Sequence, residues 1–201
     1  LEVEAFKTEV RIAGVLTTGS NYAGNTLALS GSDEWDSAGG GDPIGAIQTG
    51  IAATWSGRGA GDLVGFTSLT VWNVLCKHPQ LLDLFKYTAP GLTKMDRLAQ
   101  ELGLSKILVG AARKDTANPG QTASYSRIWG NDFGIVRVAR RASFRNASFG
   151  YNIRMANHPF VSTSFDPDKG VEGGYRSKVG ISEVAKVIAG DTGYLLTSVL
   201  A

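Results

Sequence analysis

Twenty-six glycines lie along 201 residues with no G-X-Y period, and that spacing limits what this chain can build. Glycine weakens helix and strand interiors but serves turns and close backbone approaches. A chain broken so often folds into many short elements joined by turns, not into collagen or one long linker. The hydrophobic fraction, 43%, is ordinary for a globular protein. At this length one domain, or two small ones, can bury a proper core.

Twenty basic and 18 acidic side chains leave a formal charge of +2, which neither demands nor excludes nucleic acid. Cys76 is the only cysteine, so the sequence has no internal disulfide and no thiolate-rich zinc site, and a reducing, intracellular setting is the default. No stretch approaches the roughly 20 apolar residues of a membrane-spanning helix. Residues 1–9 lack the layout of a secretory signal. Residue 1 is Leu and a helical pattern starts at once, which leads us to expect a polypeptide that begins further upstream.

Val3, Phe6, Val10 and Ala13 recur at helical spacing and predict an amphipathic helix ending near Leu16, at Thr17-Thr18-Gly19-Ser20-Asn21. A polar, glycine-rich stretch follows around Thr26-Leu27-Ala28-Leu29. Asp42 as N-cap and Pro43 as first residue then open a helix carrying Ile44, Ile47, Ile51 and Trp55 on one face. Gly57–Gly61 ends it, and Leu63–Phe66 reads as a short buried strand. Ser68 caps a helix with Val71, Trp72 and Leu75, which Pro79 stops or kinks. Leu81, Leu82, Leu84 and Phe85 continue an apolar helical patch, and Ala89-Pro90-Gly91 is a turn. Thr93, with Asp96 at the capping-box position, starts another helix that Gly103 ends. Strands are expected at Lys106–Gly110, Phe133–Val138, Phe149–Met155, Val179–Ile188 and Tyr194–Leu200. The apolar parity slips between Ile181 and Val184, which predicts a bulge or bend. The result is an α+β chain whose middle is a small mixed α/β domain with helices on a sheet. The N-terminal helix and the late strands form a second module.

Catalytic chemistry finds little support. His78 sits at a helix end and His158 in a turn, both read as structural or exposed, and no zinc-binding H-E-x-x-H or cysteine pair occurs. No serine lies in a G-x-S-x-G elbow. The glycines at 57–61 end a helix and lead into a strand, the reverse of a phosphate-binding loop. Asp166-Pro167-Asp168-Lys169-Gly170 opens like a calcium loop, but Val171 and Lys178 stand where glycine and glutamate are needed. No catalytic, metal or cofactor residue is assigned. Arg137, Arg140, Arg141 and Arg145, with Phe144 and Phe149 nearby, are the candidate functional residues. They suit a subunit interface, with Asp33, Glu34 and Asp36 as partner acids, or a surface facing a DNA backbone.

The order of segments resembles major capsid proteins of tailed bacteriophages and prophages, whose shell fold encapsulins share. The residues that carry this are Asn21-Tyr22, Leu27–Gly31 and Trp35, then Asp42-Pro43-Ile44, Val71-Trp72, His78-Pro79, and Leu82 to Lys86. Ile107–Gly110, Ile128-Trp129-Gly130, Gly173–Arg176 and Asp191–Leu195 follow in the same sequence. The resemblance implies residues 42–155 as an axial domain around the local symmetry axes. Residues 1–41 (the end of a spine helix and a linking strand) and the returning strands of 156–201 would form the peripheral domain. An N-terminal arm and an extended loop would be missing ahead of residue 1. It further implies no enzymatic activity, self-association into pentamers and hexamers that close an icosahedral shell around phage DNA, and non-specific contact with that DNA. Scaffold and portal proteins are the implied partners, and the location is the virion, assembled in the host cytoplasm. Three other readings stand beside it: an encapsulin-like compartment, a small hydrolase or transferase, and a nucleic-acid-binding module.

Overall fold

Helices begin and end where the sequence supplies partners for their unpaired backbone groups. The computed structural model describes residues 2–37, 40–55, 61–85, 94–143 and 145–201. Its first helix, α1 (Glu2–Leu16), has Glu2 and Glu4 in the first turn, where the helix dipole favours negative charge. At the other end the last four carbonyls of a helix have no partner within it. Here four side chains supply one each. Thr17 Oγ1 donates to Ala13 O at 2.9 Å, Thr18 Oγ1 to Gly14 O at 2.6 Å, Asn21 Nδ2 to Val15 O at 2.8 Å and the Tyr22 hydroxyl to Leu16 O at 2.6 Å. The polar run after α1 is therefore a cap. Tyr22 is fully buried, with its ring 4.7 Å from that of Phe149.

After β1 (Thr26–Ala28), α2 (Pro43–Trp55) starts as expected, with Asp42 Oδ1 accepting from Gly45 N at 2.9 Å. Strand β2 (Asp62–Ser68) runs into α3 (Leu69–Leu75), capped by Ser68 Oγ on Val71 N at 3.4 Å. Pro79 separates α3 from α4 (Pro79–Phe85) by opening the second helix. Helix α5 (Lys94–Glu101) closes at Gly103, whose φ of +74° lets Leu104 N reach back to Ala99 O at 2.8 Å. Thr93 and the Asp96 side chain, the turn at 89–91, most of the glycine run at 57–60 and Phe144 lie outside the described residues. The remaining strands are β3 (Lys106–Gly110), β4 (Arg113–Asp115), β5 (Tyr125–Arg127), β6 (Phe133–Val138), β7 (Gly150–Arg154), β8 (Phe160–Asp166), β9 (Gly174–Gly180), β10 (Glu183–Val187) and β11 (Gly193–Thr197).

Five strands form the central sheet in the order β1-β11-β6-β2-β3, with β1–β11 and β2–β3 parallel and the two middle pairings antiparallel. The sheet draws strands from all three sequence segments, 1–41, 42–155 and 156–201. Its inner strands read as nearly continuous apolar runs because both faces are covered. Leu63, Phe133, Ile135, Tyr194 and Leu196 point to one side, into a core with Ile47, Trp72, Leu75 and Leu98. Val64, Phe66, Val136 and Leu195 point to the other, against Tyr22, Phe149 and Leu16. Gly134 sits opposite Phe66 in the β2–β6 register, and a Cβ there would fall within the Phe66 ring.

Three two-stranded sheets complete the fold: β4–β5, β7–β10 and β8–β9. The segment Val179–Ile188, read from sequence as one strand with a bend, is two strands in different sheets. Chain pairing stops at Gly180 and resumes at Glu183. The parity slip marks that break. The β4–β5 hairpin and β8 lie outside the strands expected from the sequence.

Replacing Tyr22 with Phe leaves the Leu16 carbonyl unpaired in a buried place and is expected to lower stability by about 1–3 kcal/mol in urea unfolding. Gly134→Ala forces the Phe66 ring from its place and is expected to cost about 1–3 kcal/mol in the same measurement.

Candidate assembly surfaces

The four arginines singled out by sequence do not act as one group. Arg137 is buried in β6, 4% exposed, with Nη2 donating to Thr54 O at 3.3 Å. That removes it from the candidate surface, because the inner strand that carries it is covered on both faces. Arg140 lies exposed just beyond β6 and grips Asp62 with two nitrogens, at 2.9 and 3.1 Å to Oδ1. This hydrogen bonding holds the Asp62 carboxyl below its usual pKa. Within the chain its partner is thus Asp62 on the neighbouring strand. Asp36 is used differently, accepting from Ala201 N at 3.1 Å. Arg141 and Arg145 are exposed in the loop before β7. Three of the four arginines therefore reach solvent.

Neither histidine builds a catalytic arrangement. His78 is buried between α3 and α4, and burial lowers its pKa against the opposing pull of Asp42. His158 Nδ1 lies 3.1 Å from Gly180 O, at the base of β8–β9. Among the described residues no three His, Cys, Asp or Glu side chains gather as metal ligands would. The calcium-like segment is a turn, with Asp168 N donating to Asp166 Oδ1 at 3.3 Å.

The most heavily used polar group is one that sequence reading passed over. Glu183, at the start of β10, has a side chain fully shielded from solvent. Its Oε1 accepts from the Thr8 hydroxyl and from Arg11 Nη2 at 2.7 Å, both on α1. Its Oε2 accepts from Arg154 Nε and Nη2 at 3.1 and 2.9 Å and from Asn152 Nδ2 at 3.1 Å, both on β7. Arg11 Nη1 adds a bond to the Glu183 carbonyl at 3.0 Å. The Thr8 bond above all, then the Arg154 bonds, lower the Glu183 pKa to about 2 against the raising effect of burial. A second tether joins α1 to the sheet, with Trp129 Nε1 donating to Glu9 Oε1 at 2.9 Å. Helix α1 and β7–β10 thus form a layer over the second face of the central sheet. A mostly apolar cavity of about 570 Å³ remains between them, bordered by Ile12, Val15, Phe66, Trp129, Val136 and Val187. The sequence signals for this layer were the amphipathic pattern of α1 and the strand-like runs Phe149–Met155 and Val179–Ile188.

No family model matches the chain. It is 30% identical to the major capsid protein of Pseudomonas phage JBD67 over 197 residues, covering 96% of this chain and 62% of that protein. It is 26% identical to the major capsid protein of Burkholderia phage BcepMu, covering 98% of this chain and 64% of the relative. The chain thus spans less than two thirds of the length of the curated relatives it matches. The crystal structure of a phage-related protein from Bordetella bronchiseptica RB50 superposes with a TM-score of 0.83 at 24% identity, over 98% of this chain and 64% of that one. A virus-like particle from Pyrococcus furiosus gives 0.51 at 13% identity, over 94% of this chain and 62% of the other. The fold is phage-capsid-like.

A depressed carboxylate pKa gives stability that is present above the unfolded value, near 4.3. It is lost as pH falls through the folded value of about 2. Thermal melts between pH 5 and pH 2 should therefore fall more steeply for the natural protein than for Glu183→Gln, whose melting temperature at pH 7 should be the lower of the two.

Proposed function

We propose that this chain is the body of a phage major capsid subunit, a structural protein without catalytic activity that self-assembles into an icosahedral shell around phage DNA. What carries the reading is a similarity to phage major capsid proteins that runs along nearly the whole chain, joined to a phage-capsid-like fold. Shell building needs surfaces, not a reactive centre, and among the described residues no three His, Cys, Asp or Glu side chains gather as metal ligands would.

In this reading the central sheet with α2 to α5 is the axial body, and α1 with β7 to β10 is the peripheral one. The boundaries expected at residues 41 and 155 shift accordingly, because β1 and β11 are hydrogen-bonded into the axial sheet and β7 pairs with β10. Pentamers and hexamers of the chain associate with scaffold and portal proteins in the host cytoplasm. Arg140, Arg141 and Arg145 form the polar contact surface, toward a neighbouring subunit or, without sequence preference, toward packaged DNA. The apolar cavity beneath α1 favours a second reading, an encapsulin-like compartment.

Electron microscopy of the complete gene product after expression tests the proposal. Uniform closed shells are expected, and nucleic acid rather than cargo protein inside them separates the first reading from the second. A product that stays monomeric at high concentration would overturn both.

A further inference from the structure

The cavity beneath α1 is larger than a packing fault. Protein interiors pack as densely as organic crystals, with few voids larger than a water molecule. Here about 570 Å³ stays open between α1 and the second face of the central sheet. That lies within the roughly 300–1,000 Å³ of pockets that hold one small molecule. The walls are fixed. Glu183 joins α1 to β7 and β10, and Trp129 Nε1 donates to Glu9 Oε1 at 2.9 Å. Trp129 is itself seated against the backbone, its ring lying where a Cβ at Gly110 would stand. Small side chains leave the space, for Ala5 on the helix and Ala185 on β10 both border it. Among its large apolar lining residues Leu108 and Val138 are the exposed ones, at 52% and 42%, and they mark where it opens.

The lining also states what kind of molecule fits. Phe66, Trp129 and Phe149, with Val64 and Val136, enclose an apolar body. The donors at the border are engaged within the protein. The Trp129 N–H is bonded to Glu9, the Thr8 hydroxyl to Glu183 and the Ser148 hydroxyl to the Arg137 carbonyl. Lys186 brings no cation into the space. Glu183 faces α1, so Lys186, three positions on in the same strand, stands on the opposite face. What remains is an acceptor. The second carboxylate oxygen of Glu9 has no hydrogen-bond partner among the described residues. A carboxylate oxygen beside an apolar pocket is matched by a donor that carries positive charge, and the faces of aromatic rings favour the same charge.

We propose that this cavity binds one small apolar amine, its hydrocarbon body under α1 and its ammonium group on Glu9. The site lies within a single chain and does not depend on the shell-subunit reading. A ligand that binds only the folded chain raises its melting temperature.

Calorimetric titration of the whole chain with phenylbutylamine, phenylbutanol and phenylbutyrate compares three head groups on one apolar body. One molecule per chain is expected to bind, the amine at least tenfold tighter than the acid. Glu9→Gln keeps an acceptor for Trp129 and is expected to weaken the amine at least fivefold while leaving the alcohol unchanged. Ala185→Leu and, from the helix side, Ala5→Leu fill the space. Each is expected to weaken the amine and the alcohol at least tenfold without lowering the melting temperature. Absence of binding by all three compounds, or natural affinity in both filled variants, would overturn the site. Equal affinity for amine and acid, or an unchanged amine affinity in Glu9→Gln, would overturn the amine and the role of Glu9. None of these outcomes bears on whether shells form, which electron microscopy reads separately.

Discussion

Two guanidinium groups, a hydroxyl and an amide converge on the Glu183 carboxylate, and the second layer of this fold hangs on that convergence. A shielded carboxylate without partners would be strongly destabilising. With donors on both oxygens it becomes a fixed joint between one helix and one strand pair. The joint is also directional. Thr8 and Arg11 belong to α1, Arg154 and Asn152 to β7, so the carboxylate sets how the helix lies on the strands.

That layer matters because the central sheet is apolar on both sides. Phe133 and Ile135 on one face are answered by α2, α3 and α5, close in sequence and packed in one large core. Val136 and Leu195 on the other face need a cover from elsewhere, and it comes from segments far apart in sequence, Leu16 and Tyr22 with Phe149 and Val187. The capped end of α1, Tyr22 against Phe149, and the Glu183 joint bring that cover down. The fit is incomplete, and the cavity beneath α1 is the space left over.

The β8–β9 ribbon continues from this second layer beyond the body of the molecule. Its polar side and its apolar side are both well formed, with a register that pairs Phe165 with Tyr175.

Much of the central sheet and of the helices packed on it was legible in the sequence, because the signals there are local. Asp42-Pro43, Ser68, Pro79 and Gly103 each act within four or five residues, through a cap, a missing N–H or a left-handed turn. The apolar runs of β2 and β6 needed only burial on both faces to become inner strands. The layer of α1 with β7 and β10 was less legible. Glu183 reads as one more charged residue until Thr8 and Arg11, more than 170 positions away, are brought against it. Arg137 reads as part of a basic patch until its strand is placed inside the sheet. The slip at Ile181-Ser182 was visible, but a bend within a strand and a break between two sheets leave the same trace in sequence. Short-range backbone chemistry settled where elements start and stop. Partners distant along the chain settled which charges are buried, which strands pair and which apolar faces stay uncovered, since those depend on contacts that exist only once the chain has folded.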